Sequence, residues 1–120
     1  MGFAKNKNMS PLETIQNQVI AYNSRDIDAF AACHHENVEL YTLGENEAFC
    51  IGGVALHKRY AEVFGSSPDL HTEIINRIVC GNTVIDHELV TGRVGEDAIE
   101  MFAIYEVEEG KISKAYFRRK

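Results

Sequence analysis

The stretch Ala21-Tyr22-Asn23-Ser24-Arg25-Asp26-Ile27-Asp28-Ala29-Phe30 predicts the end of one helix, a tight break and the start of a second helix. Asn and Ser at the break favour local hydrogen bonds to the backbone over helix continuation, and Asp26 is a good N-cap for the second helix. Upstream, Ser10-Pro11-Leu12-Glu13 forms a capping box that starts the first helix. The N-terminal part of the chain is therefore predicted to be a helical hairpin.

Beyond the hairpin, the sequence predicts strands and one further helix. Residues 38–41 and 48–51 are predicted strands, and the apolar spacing over 54–64 predicts a third helix. Four long strands are then predicted between turns that contain Gly and Asn. They cover residues 70–80, 83–91, 98–107 and 112–117. The expected fold class is α+β, with one curved, mostly antiparallel sheet wrapped around three helices into a cone.

Length and charge limit the organisation and the partners of the chain. Its 120 residues predict a single domain, over 10–120, and the polar start of the sequence predicts a flexible N-terminal tail over 1–9. The net charge of -6 disfavours nucleic acid and an anionic membrane as partners. The sequence lacks an apolar run of ~20 residues and a signal-peptide pattern, and its three cysteines are widely spaced. We therefore expect a cytoplasmic protein with reduced thiols.

The penultimate strand is apolar on both faces, which bears on assembly. Met101, Ala103 and Tyr105 point one way, and Phe102 and Ile104 point the other. A sheet that is apolar on both sides is usually covered on both sides, and three helices can cover only one. The sequence therefore predicts a homodimer through the outer sheet face, the alternative being an exposed patch on a monomer.

Three segments carry a resemblance to a known family: 21–30, 53–64 and 103–112. In these segments and in its element order, the chain resembles the nuclear transport factor 2-like superfamily, in its SnoaL-like and ketosteroid-isomerase-like branch. The resemblance implies a cystatin-like, cone-shaped α+β barrel, a mainly apolar pocket and a frequent homodimer. That superfamily includes isomerases, hydratases, epoxide hydrolases, cyclases and non-enzymatic binding domains, so the fold constrains function weakly.

The resemblance does not extend to the catalytic residues of ketosteroid isomerase. The family's oxyanion-donating Tyr, general base Asp and protonated Asp match Gln18, Tyr41 and Ala103 in this sequence. None of the three is retained, which argues against steroid isomerisation by that mechanism. Gln18 can still donate a hydrogen bond, whereas a Tyr with its ordinary pKa of about 10 is a poor base.

The strand over 84–92 contains the main catalytic candidates. Because strand side chains alternate, Asp86 and Glu88 share one face and His87 takes the other. If the carboxyls face the apolar cavity, burial and mutual repulsion keep one of them protonated near neutral pH, ready to act as acid or base. In the opposite register, His87 enters the cavity and can transfer protons. Both registers are compatible with the sequence.

The remaining candidates are binding residues. Gln18 and Tyr41 are expected to orient a polar end of the ligand, and an apolar, aromatic lining favours a flat apolar molecule. The predicted ligand-binding residues are Gln18, Tyr22, Tyr60, His87, Met101, Ala103, Tyr105 and Phe117. No metal is predicted, since the adjacent helical residues Cys33, His34 and His35 diverge too far to bind one ion.

These patterns lead to two functional hypotheses. In the first, the protein binds a small apolar or aromatic molecule and performs acid/base chemistry without a cofactor, of the isomerase, hydratase or cyclase type. Glu88 or Asp86 then transfers the proton, and Tyr41 is a further catalytic candidate that orients a polar end of the ligand. In the second, it is a non-enzymatic ligand-binding or dimerisation module. The sequence does not decide between them.

Overall fold

The computed structural model describes residues 9–120. The helices are α1 (Pro11–Asn23), α2 (Ile27–Ala32) and α3 (Gly53–Ser66). The strands are β1 (His34–Thr42), β2 (Cys50–Ile51), β3 (His71–Cys80), β4 (Thr83–Thr91), β5 (Ile99–Glu108) and β6 (Lys111–Arg119). The predicted N-terminal tail lies outside the described residues except for Met9. None of the three helices in residues 9–120 is both long and apolar enough to cross a membrane.

The predicted helical hairpin is confirmed, together with its caps. The Ser10 hydroxyl accepts a hydrogen bond from the backbone N–H of Glu13 at 3.1 Å, and the Glu13 carboxylate accepts one from the Ser10 N–H at 3.0 Å. After the break, the Asp26 carboxylate accepts a hydrogen bond from the Ala29 N–H at 3.1 Å and caps α2. Local hydrogen bonds therefore set both helix starts.

The break between α1 and α2 also ties the helices to the sheet. The Asn23 side chain bonds both backbone groups of Thr72: its amide donates to the carbonyl at 3.1 Å, and its oxygen accepts from the N–H at 2.7 Å. Arg25, in the left-handed region at φ 53°, donates from Nη1 to the Leu70 carbonyl at 2.9 Å. The first residues of β3 are thereby fixed against the hairpin.

The six strands form one open, mixed sheet in the order β2-β1-β6-β5-β4-β3. Neighbours pair antiparallel except β1 and β6, which run parallel. The predicted α+β class and the curved, mostly antiparallel sheet are confirmed. β1 begins at His34, four residues before the predicted start, because His34 pairs with Ile112 of β6. Such pairing between distant segments leaves no local signal in the sequence.

The helices cover one face of the sheet, and the hydrophobic core lies between the helices and this face. Phe30 of α2 is almost fully buried, with ring centroids 4.6 Å from Tyr60 and 5.4 Å from Phe64 of α3. On β4, Val84, Asp86, Glu88 and Val90 are all buried, whereas the residues between them are only partly covered. The even-numbered side chains of β4 therefore face the helices.

Candidate functional site

A cavity of about 750 Å³ lies between the inner face of the sheet and the helices α1 and α3. Small-molecule sites commonly have volumes of about 300–1,000 Å³, so the space is sufficient for a ligand. Apolar and aromatic side chains form most of its interior, with a few polar groups among them. The interior is lined by Gln18, Val19, Tyr22, Tyr60, Val63, Thr72, Glu88, Val90, Ile99, Met101, Tyr105 and Phe117.

A second, smaller depression of about 430 Å³ lies between α1, α2 and the β5–β6 turn. Two polar side chains that line it have structural partners. The Thr14 hydroxyl donates to the Gly110 carbonyl at 2.9 Å, and Asp26 caps α2. We therefore take the larger cavity as the candidate site.

Glu88 is a buried carboxyl group in the lining of this cavity, with a relative exposure of 7%. Its Oε1 accepts a hydrogen bond from the Thr72 hydroxyl at 3.4 Å. Burial, reinforced by the negative charge of Asp86, raises the pKa of Glu88 to about 7, and the Thr72 hydrogen bond and Arg77 oppose this shift. A carboxyl group with such a pKa exchanges its proton readily at neutral pH, which is what general acid/base chemistry requires.

Asp86 has a different environment from Glu88, although it lies on the same face of β4. Its side chain is completely buried and accepts two hydrogen bonds from Arg77, from Nε at 2.6 Å and from Nη2 at 2.8 Å. It does not line the cavity. Asp86, predicted as an alternative proton-transfer residue, is instead held in a bidentate ion pair that keeps its oxygens from a ligand.

Arg77 was missed in the sequence analysis, although a signal for it exists. Gly81 and Asn82 form the turn between β3 and β4, and counting outward from this turn pairs Arg77 with Asp86. In an antiparallel hairpin, directly opposed side chains project from the same face. An Arg opposite an inward Asp therefore predicts the ion pair once the register is known.

Three tyrosines of the cavity carry protonated hydroxyl groups. Burial is the main cause in each case: it raises the pKa of Tyr60 to about 12 and moves the pKa values of Tyr22 and Tyr105 well above their usual range. The negative charge of Glu88 contributes in the same direction. These hydroxyls can donate hydrogen bonds to a ligand near Glu88.

Six of the predicted ligand-binding residues line the cavity. They are Gln18, Tyr22, Tyr60, Met101, Tyr105 and Phe117. Ala103 is fully buried on the inner face of β5 but is not part of the cavity lining. It pairs directly with Asp86.

Tyr41 was predicted to serve the pocket, and His87 to enter it in one of the two registers, but neither residue lines the cavity. Tyr41 lies on the outer face of β1, where its hydroxyl donates to Glu39 Oε1 at 2.6 Å and its ring stacks on Tyr116 at 5.2 Å. His87 lies on the outer face of β4, with Nε2 2.8 Å from Glu100 Oε2. In both strands the helices cover the side chains of the opposite parity, which leaves these two outside.

The opening of the cavity carries charged residues that the sequence analysis did not identify. Four exposed arginines, which we call the arginine rim, line it: Arg59, Arg93, Arg118 and Arg119. They come from α3, the β4–β5 loop and the end of β6, so no motif joins them in the sequence. Within residues 9–120, no group of three or more His, Cys, Asp and Glu side chains could hold a metal ion.

A family model for the SnoaL-like domain matches residues 15–115, most of the chain. The chain belongs to the SnoaL-like domain family. The resemblance identified from the sequence is thereby confirmed. The matched SnoaL-like region contains the helical hairpin from residue 15 onward, β4 with Glu88, and nearly all of the cavity lining. A search of curated proteins finds no match.

Three solved structures illustrate the same fold. An uncharacterised cystatin-fold protein from Novosphingobium aromaticivorans is 25% identical to this SnoaL-like chain, with a TM-score of 0.85 over 92% of this chain and 99% of that chain. An LEH-like epoxide hydrolase from M. tuberculosis is 14% identical, with a TM-score of 0.77 over 92% and 82%. A protein with a ketosteroid isomerase-like fold from Catenulispora acidiphila is 15% identical, with a TM-score of 0.74 over 92% and 86%.

Proposed function

We propose that this SnoaL-like protein binds a small, largely apolar molecule in its cavity and moves a proton on it with Glu88, without a cofactor. The supporting observation is that Glu88 is a buried carboxyl inside a ligand-sized cavity, with its pKa raised to about 7 by burial. The reaction would be an isomerisation, a hydration or a ring closure. The epoxide hydrolase among the proteins of this fold is consistent with hydration chemistry.

In this mechanism the roles follow from the side chains around Glu88. As a carboxylate, Glu88 removes a proton from a carbon acid or from water; as a carboxylic acid, it returns one. The hydroxyls of Tyr22, Tyr60 and Tyr105 donate hydrogen bonds to the oxygen on which negative charge develops. Apolar walls exclude water and strengthen these interactions.

The test uses proton exchange and hydration, because both report general acid/base chemistry before the natural substrate is identified. Wild-type protein is incubated in D₂O with a panel of cyclic ketones, and separately in ordinary water with a panel of epoxides. NMR measures deuterium at the carbon next to the carbonyl, and chromatography measures diol. We expect turnover of at least one compound, and its loss in Glu88→Gln.

Glu73→Gln is the matched control, since Glu73 is an exposed residue of β3 and its substitution removes the same charge. It should retain full turnover. Equal rates in wild type and Glu88→Gln would remove Glu88 from the mechanism.

A binding function without chemistry is the alternative. The ion pair between Asp86 and Arg77 supports this alternative. Because Asp86 is engaged there, Glu88 is the only carboxyl of the described residues that lines the interior of the cavity. A reaction that needs a separate acid and base would have to use a tyrosine as its second group. Saturable binding of a neutral apolar probe, with no turnover in either panel, would favour this alternative.

A further inference from the structure

The arginine rim makes the opening of the cavity positively charged, although the protein as a whole is negatively charged. The chain has a net charge of -6 and six arginines, of which four lie at the opening of this cavity. Two carboxylates accompany them. Glu45 also lines the opening, and Glu96 pairs with Arg119 and, at 3.5 Å, with Arg93. Positive charge therefore exceeds negative charge at the entrance.

Arg59 is the rim residue most available to a ligand. It forms no ion pair within the part of the chain that the structure describes, and its guanidinium carbon lies 4.6 Å from the centroid of the Phe49 ring. Phe49 in turn contacts Phe117, at 6.2 Å between centroids. The guanidinium is thus placed beside an aromatic wall of the cavity, and no carboxylate of residues 9–120 occupies its hydrogen-bond donors.

The charges of Arg59 and Arg93 act inside the cavity as well as at its surface. Both oppose the rise in the pKa of Tyr60, and Arg93 does the same for Tyr22. These tyrosines line the interior beside Glu88. A negatively charged group at the rim would therefore be attracted by the rim while the rest of the ligand contacts the tyrosines.

We propose that the ligand of this cavity is an anion, namely a flat apolar molecule that carries a carboxylate at one end. The carboxylate binds at the arginine rim, where a guanidinium can donate two parallel hydrogen bonds. The apolar body packs against Tyr22, Met101 and Phe117, and the opposite end reaches Glu88. This inference rests on the proposed function in one respect, that the cavity holds a ligand.

The test compares two fluorescent probes that differ by one charged group. N-phenyl-1-naphthylamine is neutral, and 8-anilino-1-naphthalenesulfonate adds a sulfonate, a stand-in for the carboxylate, to the same ring system. At low ionic strength we expect the sulfonate probe to bind about tenfold more tightly than the neutral one. High salt should remove this advantage, because exposed charges are screened over a few ångströms at about 1 M.

Variants locate the effect on the rim. Arg59→Gln should weaken the sulfonate probe by about 3- to 10-fold and leave the neutral probe unchanged. Lys58→Gln is the matched control, since it removes the same charge from the adjacent exposed residue of α3, which does not line the cavity. It should change neither affinity. Glu96→Gln should strengthen the sulfonate probe, because it frees Arg93 and Arg119.

Val63→Trp, which adds bulk within the cavity, separates failure of this inference from failure of the proposed function. Circular dichroism first confirms that the variant is folded. If Val63→Trp blocks both probes, but wild type binds them equally and Arg59→Gln has no effect, the anion proposal is overturned and the cavity remains a ligand site. If neither probe binds, or Val63→Trp does not weaken binding, the cavity is not a ligand site and both proposals fail.

Discussion

Glu88 and Asp86 lie two residues apart on one strand, on the same face, and yet have opposite surroundings. Asp86 has a bidentate partner in Arg77, which compensates its charge where no water reaches it. Glu88 has only a 3.4 Å hydrogen bond from Thr72. A buried carboxylate without a cation is costly, so Glu88 is the group that retains its proton.

The raised pKa of Glu88 predicts a pH-dependent stability. The pKa of Glu88 is about 7 in the folded protein, whereas its ordinary value is 4.5. The folded state therefore binds the proton more tightly than the unfolded chain does. The resulting contribution of Glu88 to the free energy of unfolding is about 3 kcal/mol. It is complete below pH 4.5 and is lost as the pH rises through 7. Glu88→Gln has no titratable group at this position. Relative to wild type, its free energy of unfolding should therefore rise by about 3 kcal/mol between pH 4.5 and 8.

Urea denaturation at a series of pH values measures this difference. His34, whose pKa burial lowers to about 4, titrates in the opposite sense: its contribution is complete above 6.5 and is lost as the pH falls toward 4. It is present in both proteins and cancels in the difference. A difference in the free energy of unfolding that does not change with pH would show that Glu88 titrates normally.

The sequence identified Glu88 as a candidate but not its environment. Alternation along β4 shows that Asp86 and Glu88 share a face, and the β3–β4 turn contains enough information to pair Arg77 with Asp86. Neither observation says which face the helices cover. The same limit applies to Tyr41 and His87, because a shift of one position exchanges the inner and outer faces of a strand.

Among the elements, the β4–β5 loop both packs tightly against the segment before β3 and carries a residue of the arginine rim. Gly92 is the first residue of this loop and has a φ of 78°. It lies so close to the segment before β3 that an added Cβ would overlap the backbone of Asp69. The next residue is Arg93 of the rim, and the Val94 N–H donates to the buried Ser67 hydroxyl at 3.0 Å. The position of Arg93 in the rim thus depends on this close approach.

Two glycines of this loop provide a matched comparison. Gly95 has the same φ of 78°, but no described atom lies within 4 Å of a Cβ added there. Gly95→Ala should cost about 1 kcal/mol, from the backbone conformation alone. Gly92→Ala should cost about 3 kcal/mol or more, because the clash adds to it. Thermal denaturation of both variants measures the difference, and equal losses would show that the loop moves freely away from Asp69.

At the scale of the whole molecule, no helix of residues 9–120 covers the outer face of the sheet, and an apolar row crosses five strands there. The pairing register aligns Ile78, Ile85, Ile104, Tyr116 and Tyr41 in this row. Ile78 is 61% exposed, and Phe102, on the next row, is 47% exposed. Apolar side chains that lie together on an exposed sheet face commonly mark a protein–protein contact. We therefore propose that two copies of the chain associate through this face.

Phe102→Glu tests the dimer, because it places a charge beside the apolar row of the proposed interface. We expect wild type to sediment as a dimer and the variant as a monomer in analytical ultracentrifugation. Val54→Glu is the control, since Val54 is 89% exposed at the start of α3, on the helix-covered side of the sheet. It should remain dimeric. A wild-type protein that is monomeric at high concentration would contradict the proposal.

The sequence alone determined the features that depend on neighbouring residues. The caps at Ser10 and Asp26, the break after Asn23 and the strand alternation are local, since each depends on hydrogen bonds or sterics within a few positions. Only the tertiary structure decided which face of each strand is inward, the parallel pairing of β1 with β6, and the assembly of the arginine rim. These depend on contacts between distant segments, for which the sequence contains no local pattern.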